Sequence, residues 1–167
     1  MLAQAAIADL LRADSVRWNL LGVVAGLELP DAWIAAGFVR NAVWDTLHGR
    51  DPQPLGGDVD VIWYDSQNLE PARDRAIEAQ LSALAPGIDW SVKNQARMHE
   101  RSGMAPYNGI AEAMASWPET ATAVGVQLLN GRVELLAQRQ AGLLHLGRVA
   151  HGAAQCPDQA RQRFAGA

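Results

Sequence analysis

Apolar positions along this chain change their spacing several times, and each change marks an element. From Leu2 to Leu11, Ile7, Leu10 and Leu11 fall on one side of an Ala-rich segment, which predicts a helix. Asp14-Ser15 supplies the cap chemistry for a second helix running to about Leu27. Leu29-Pro30-Asp31 is a turn, and Ala32 to Ala35 is a short apolar strand. Gly37 hinges it to a helix over Phe38 to His48. Two prolines and three glycines between Gly49 and Gly57 predict a loop. Val59 to Tyr64 is β-branched and apolar, the clearest strand in the chain. Pro71 suits the first turn of a helix ending near Ala85. Pro86-Gly87 then turns the chain into a second strand, Ile88 to Val92. A helix is expected over Asn94 to Arg101 and a loop over Gly103 to Gly109, and Trp117-Pro118-Glu119-Thr120 opens another unit. Val124 to Leu129, Asn130-Gly131 and Arg132 to Leu136 read as a hairpin by turn chemistry. Pro157 can begin a last short helix to Phe164.

These elements predict an α/β (α+β) fold, a small mixed sheet flanked by helices. At 167 residues the expectation is one domain over residues 1–167, with a helical N-terminal segment at 1–28 and a weakly patterned tail at 142–167. Hydrophobic residues make up 49% and charged residues 19%, which excludes a disordered chain. A net charge of −4 and the lack of a basic stripe argue against long nucleic acid and anionic membrane as partners. Cys156 is the only cysteine, so a reducing compartment fits. Asp9, Arg12 and Asp14 interrupt any signal-peptide pattern, and no stretch reads as a membrane span. The expected location is the cytoplasm.

The chemistry concentrates in Gly56-Gly57-Asp58-Val59-Asp60-Val61. A strand alternates its faces, so Asp58 and Asp60 point the same way, with Cβ atoms about 6–7 Å apart. Like charges on one face repel, and a shared divalent cation removes the repulsion. Asp89, flanked by Ile88 and Trp90, can join them if the two strands are neighbours. Three converging carboxylates would make a two-metal site, with Asp58 and Asp60 bridging the ions and Asp89 binding one and serving as general base. Upstream, Gly37 stands at the start of a helix whose free amides attract phosphate. Arg40, in its first turn beside Asn41, can make a forked contact with phosphate oxygens. Lys93, Asn94, Arg97 and His99 can line the cleft; equally, Asn94 can cap a helix while Arg97 pairs with Glu100 or a neighbour. Asp58 and Asp60 as a plain polar strand face, and Arg40 as a surface ion-pair partner, are the structural alternatives. Trp33, Trp44, Trp63 and Trp90 sit in periodic segments and read as core, although one tryptophan can stack on a base. The four histidines lack zinc-ligand spacing.

Four runs carry a resemblance: Ala35-Ala36-Gly37-Phe38-Val39-Arg40-Asn41, Asp58-Val59-Asp60-Val61-Ile62, Trp90 to His99, and Trp117 to Val124. With them the chain resembles the nucleotidyltransferase superfamily of the DNA polymerase β type, and within it a group of small bacterial nucleotidyltransferase-like proteins of unassigned function. The resemblance spans about Trp33 to Leu136. It implies a nucleotidyltransferase-like fold, Gly37 in the nucleotide-binding turn, and Asp58 and Asp60, with Asp89 as the third acid, as catalytic ligands of Mg²⁺ or Mn²⁺; on their residue types Arg40, Asn41 and Lys93 are added as nucleotide contacts. Phe38 departs from the Gly-Gly or Gly-Ser turn of the superfamily, so a phosphate-holding hydroxyl is missing, for which Arg40 can compensate.

The reaction expected is transfer of a nucleoside monophosphate from a nucleoside triphosphate to an unidentified hydroxyl acceptor, releasing pyrophosphate. The alternative is a catalytically impaired nucleotide-binding or regulatory module of the same fold. An aspartate-nucleophile phosphohydrolase ranks below both. In that class the apolar strand precedes its Asp-x-Asp pair, whereas here it follows.

Overall fold

A computed structural model describes residues 4–51, 53–118 and 122–137. Helices α1 (Gln4–Ala13) and α2 (Ser15–Ala25) lead into strand β1 (Trp33–Ala35) and helix α3 (Gly37–Leu47). Strand β2 (Val59–Trp63), helix α4 (Pro71–Leu84) and strand β3 (Trp90–Asn94) follow. A 3₁₀ turn at Gln95–Arg97 and two short helices, α5 (His99–Ser102) and α6 (Ile110–Ala115), precede the hairpin of β4 (Val124–Leu129) and β5 (Arg132–Ala137). The expected tail helix from Pro157 to Phe164, and Glu119 and Thr120, lie outside the described residues. Among the described residues no helix is long and apolar enough to cross a membrane.

The five strands form one mixed sheet in the order β3-β2-β1-β4-β5. Only β2 and β3 run parallel, joined by the α4 crossover; every other pair is antiparallel. The hairpin forms at Asn130-Gly131, where both residues take positive φ (51° and 73°), as a tight primed turn requires.

Alternation along the strands sorts two faces. Val59, Val61 and Trp63 of β2, with Val92 of β3 and Val124 and Val126 of β4, join Ile7, Leu11, Leu21, Phe38, Val39, Ile77 and Leu81 in the main core. The opposite face carries a smaller cluster of Trp33, Ala35, Ile62, Ile110 and Met114, roofed by α6. Six residues hold too few turns to display a period, so α6 carries no periodic signal. Asp31 joins this roof to β1: it accepts from Trp33 Nε1 at 2.7 Å and from the Ile110 amide at 3.4 Å.

Two elements differ from expectation. β3 begins at Trp90 rather than Ile88, because Ile88 and Asp89 follow Pro86-Gly87 before the paired strand starts. Asn94, expected to open a helix over Asn94 to Arg101, both ends β3 and caps the 3₁₀ turn at Gln95–Arg97, and the helical stretch resumes as α5. The Asn94 side chain accepts from the Ala96 amide at 3.0 Å and donates to the carbonyls of Asp65 and Asn68, both at 2.8 Å.

The outer edge of β3 is covered by acids from α4. Glu78 accepts from the Val92 amide at 2.9 Å, and Asp74 accepts from the Asn94 amide at 3.1 Å. Asp74 is only 3% exposed and also accepts from Trp63 Nε1 at 2.9 Å and pairs with Arg97. These bonds satisfy amides that an edge strand would otherwise leave open. They also fix the strand on both sides of Lys93.

Candidate functional site

Asp60 lies on β2 and Asp58 immediately before it, so the period of two turns both to the face away from the main core. They share a cavity of about 580 Å³ with Ala36, Ser91, Lys93, Trp117, Pro118 and Thr122. Asp58 is exposed, whereas Asp60 is half-buried. The carboxyl of Asp60 is pushed up from 3.8 to about 6, first by burial and then by the negative charge of Asp58. A hydrogen bond with Ser91 and the charges of Lys93 and Arg40 pull it back down, with smaller effect.

The strand register explains Ser91. In the parallel pair Asp60 lies opposite Ser91, and Ile62 opposite Lys93. Lys93 also approaches Glu78, Nζ to Oε1, at 3.6 Å. The residue beside Asp60 on β3 therefore carries a hydroxyl rather than a carboxylate. Asp89 precedes β3, is exposed, and lines a separate cavity of about 500 Å³ with Arg17, Gly57, Val59 and Ile88 among others. Its carbonyl accepts from the Val59 amide at 2.7 Å, which is its visible part in the ladder. Among the described residues no group of three or more His, Cys, Asp or Glu side chains is arranged to hold a metal ion. Asp58 and Asp60 thus line one cavity, and Asp89, expected to join them, lines another.

At the entry to α3 the demand on the backbone falls on Ala36 rather than Gly37. Ala36 takes φ 55° and ψ −122°, a conformation that favours glycine. It is held there by its amide, which donates to the Val124 carbonyl at 2.9 Å, and by its carbonyl, which accepts from the Arg40 amide at 3.1 Å. Gly37 does not take positive φ. A Cβ on it would lie 3.6 Å from Arg40 Nη2 and Asn41 Nδ2, so its bareness keeps the space beside those nitrogens open. Arg40 donates from Nε to Asn41 Oδ1 at 3.1 Å and lies over the Trp44 ring at 5.2 Å. It is close enough to bear on the charge of Asp60, although neither it nor Asn41 lines the cavity.

Of the other candidates, Asn94 and Arg97 hold the β3 edge, and of Lys93, Asn94, Arg97 and His99 only Lys93 lines the cavity. Trp33, Trp63 and Trp90 are core, and Trp44 is partly buried against it. Ser91, Trp117, Pro118 and Thr122 were not singled out as site residues. The signal for Ser91 was strand register. The signal for Trp117-Pro118 was its presence in a run already marked as distinctive.

The fit to a divalent ion is testable on this geometry. Two carboxylates on one face, with the inner one resisting ionisation, make a place where a cation relieves the repulsion. Mg²⁺ is commonly bound through one or two carboxylates together with water and substrate phosphates, which matches a pair.

A family described as nucleotidyltransferase matches residues 22–165. A solved structure titled "The NMR structure of the protein reveals a CCA-adding enzyme head domain" is 31% identical, with a TM-score of 0.74. The alignment covers 86% of this chain and 75% of that one. No curated protein matches.

Proposed function

The chain belongs to this nucleotidyltransferase family, and on that premise we propose that it moves a nucleoside monophosphate from a nucleoside triphosphate to a hydroxyl acceptor. The observation that carries the reading is the pair Asp58 and Asp60 in one cavity with Lys93, beside the α3 entry at Ala36. In the reaction the acceptor oxygen bonds to the α-phosphorus, the bond from that phosphorus to the β-bridging oxygen breaks, and pyrophosphate leaves. Asp58 and Asp60 would hold Mg²⁺ or Mn²⁺, which supplies positive charge to the phosphates. Lys93 adds a flexible cation for the polyphosphate. The amides at the start of α3 favour anionic oxygens. The Ser91 hydroxyl steadies the carboxylate form of Asp60.

The test is incubation with each nucleoside triphosphate and Mn²⁺ or Mg²⁺, scored by pyrophosphate release over a panel of small alcohols, protein hydroxyls and RNA ends. Release that disappears in Asp58→Asn and Asp60→Asn supports the reading. A nucleotide-binding module without turnover is the second reading, and Ser91 in place of a third carboxylate favours it. Tight metal-dependent binding of a triphosphate with no release across the panel would establish that second reading instead.

A further inference from the structure

The cavity holding the acidic pair is chemically divided. Asp58, Asp60 and Lys93 are charged, whereas Trp117 and Pro118 are rings with large apolar surfaces. A metal-bound polyphosphate needs no aromatic surface. A ligand that joins a polyphosphate to a flat aromatic base needs both.

Trp117 is built as a fixed surface. It follows α6 directly, and its amide donates to the Met114 carbonyl at 3.2 Å. Its ring packs against the cluster of Trp33, Ile62, Ile110 and Met114 while remaining half-buried at the cavity. Ile62 belongs to the same strand and the same face as Asp60, so the ring's support and the acids share one rigid element. An aromatic side chain held this way loses little freedom on binding, and base stacking tolerates any base because every base has a π-face.

We propose that Trp117 is the stacking platform for the nucleobase of the bound triphosphate. The inference rests on the nucleotide reading above and deepens it by assigning the base subsite. Base selection by hydrogen bonds is not required for stacking, so the four common nucleoside triphosphates bind within about an order of magnitude of one another.

The experiment compares two probes, each with Mn²⁺, by isothermal titration calorimetry: nucleoside triphosphates and inorganic tripolyphosphate. Trp117→Ala and Trp117→Leu weaken nucleoside triphosphate binding about tenfold or more, whereas Trp117→Phe stays within about threefold of the parent. Tripolyphosphate affinity is unchanged in all three. The ratio of the two affinities within each folded variant is the readout, and Trp117→Leu preserves apolar packing should the alanine variant fail to fold. Unchanged nucleoside triphosphate binding by Trp117→Leu, or equal loss of both probes, would overturn the assignment. Failure of the parent to bind either probe removes the nucleotide reading itself, a result distinct from a stacking failure.

Discussion

Asp60 makes the metal reading measurable through pH. Its carboxyl is raised from 3.8 to about 6 by burial and by Asp58. That rise corresponds to roughly 3 kcal/mol against the charged form, at about 1.4 kcal/mol per pH unit. A divalent ion binds the deprotonated carboxylate, so ion and proton compete for the same oxygens. With a value near 6, about nine-tenths of Asp60 is ionised at pH 7 and about one-tenth at pH 5. Mn²⁺ affinity is therefore expected to fall about tenfold between pH 7 and pH 5. An ordinary aspartate at 3.8 would change it by less than about a tenth over that range.

Calorimetric titration with Mn²⁺ in pairs of non-chelating buffers of different ionisation enthalpy measures both quantities. Close to one proton should leave per ion bound at pH 5, and about a tenth of one at pH 7. Ser91→Ala removes a bond that favours the charged form, so it should move the midpoint above that of the parent. Neither His48 nor His99 lines the cavity, so those rings do not supply the effect. The same linkage acts on the metal-free fold. Asp60 has a folded value above its unfolded one, so its contribution to stability is complete below pH 3.8 and is lost as the pH rises through about 6. Mn²⁺ at neutral pH restores stability by binding the folded state alone. Affinities at pH 5 and pH 7 agreeing within twofold would refute the argument, because the ion would then not be displacing a proton from a raised carboxyl.

Three further outcomes are expected. Asp58→Ala and Asp60→Ala should each abolish Mn²⁺-dependent triphosphate binding while far-ultraviolet circular dichroism and the cooperative melt persist; parent-like binding by both would place the ion elsewhere. Asp74→Ala leaves the partly buried Arg97 without this carboxylate and strips a buried acceptor from Trp63 and Asn94, so urea unfolding should show a loss of about 3 kcal/mol. Ala36→Gly relieves a backbone conformation that costs an L-residue about 1–3 kcal/mol, so it should raise stability by about 1 kcal/mol after the added freedom of the unfolded chain, and a lower midpoint would contradict the strain.

Much of the fold was legible because its signals are local. Asn130-Gly131 between two apolar runs announces its hairpin, Pro71 sets the start of α4, and Asp14 caps α2 by accepting from the Arg17 amide at 3.0 Å. From Asn94 onward the helical turns and their cap were legible, but the tertiary partners were not. Asn94, Gln95 and Arg97 have polar side chains suited to a helix surface, yet Asn94 and Gln95 are buried and Arg97 pairs with Asp74. Their partners lie more than twenty positions away for Arg97 and in the Asp65–Asn68 loop for Asn94. No local pattern encodes such tertiary pairings.

The site divides along the same line. That Asp58 and Asp60 share a face follows from the period of a single strand and needs no partner. Whether a third acid joins them depends on register between strands, and that depends on where the chain leaving Pro86-Gly87 first meets β2. The ladder begins with Val59 opposite Trp90, which sets Ser91 beside Asp60; Asp89 precedes the first paired residue and lines the other cavity. This bears on mechanism as well as on prediction. With a serine at that position, no described carboxylate in the cavity stands beyond the pair to accept a proton from the acceptor hydroxyl. Under the transfer reading, turnover would then depend on how acidic the acceptor becomes. Ser91→Asp separates the two readings. If the fold lacks only a base, this variant should raise pyrophosphate release while Mn²⁺ binding tightens. If the protein is a binding module for other reasons, Mn²⁺ binding should tighten alone.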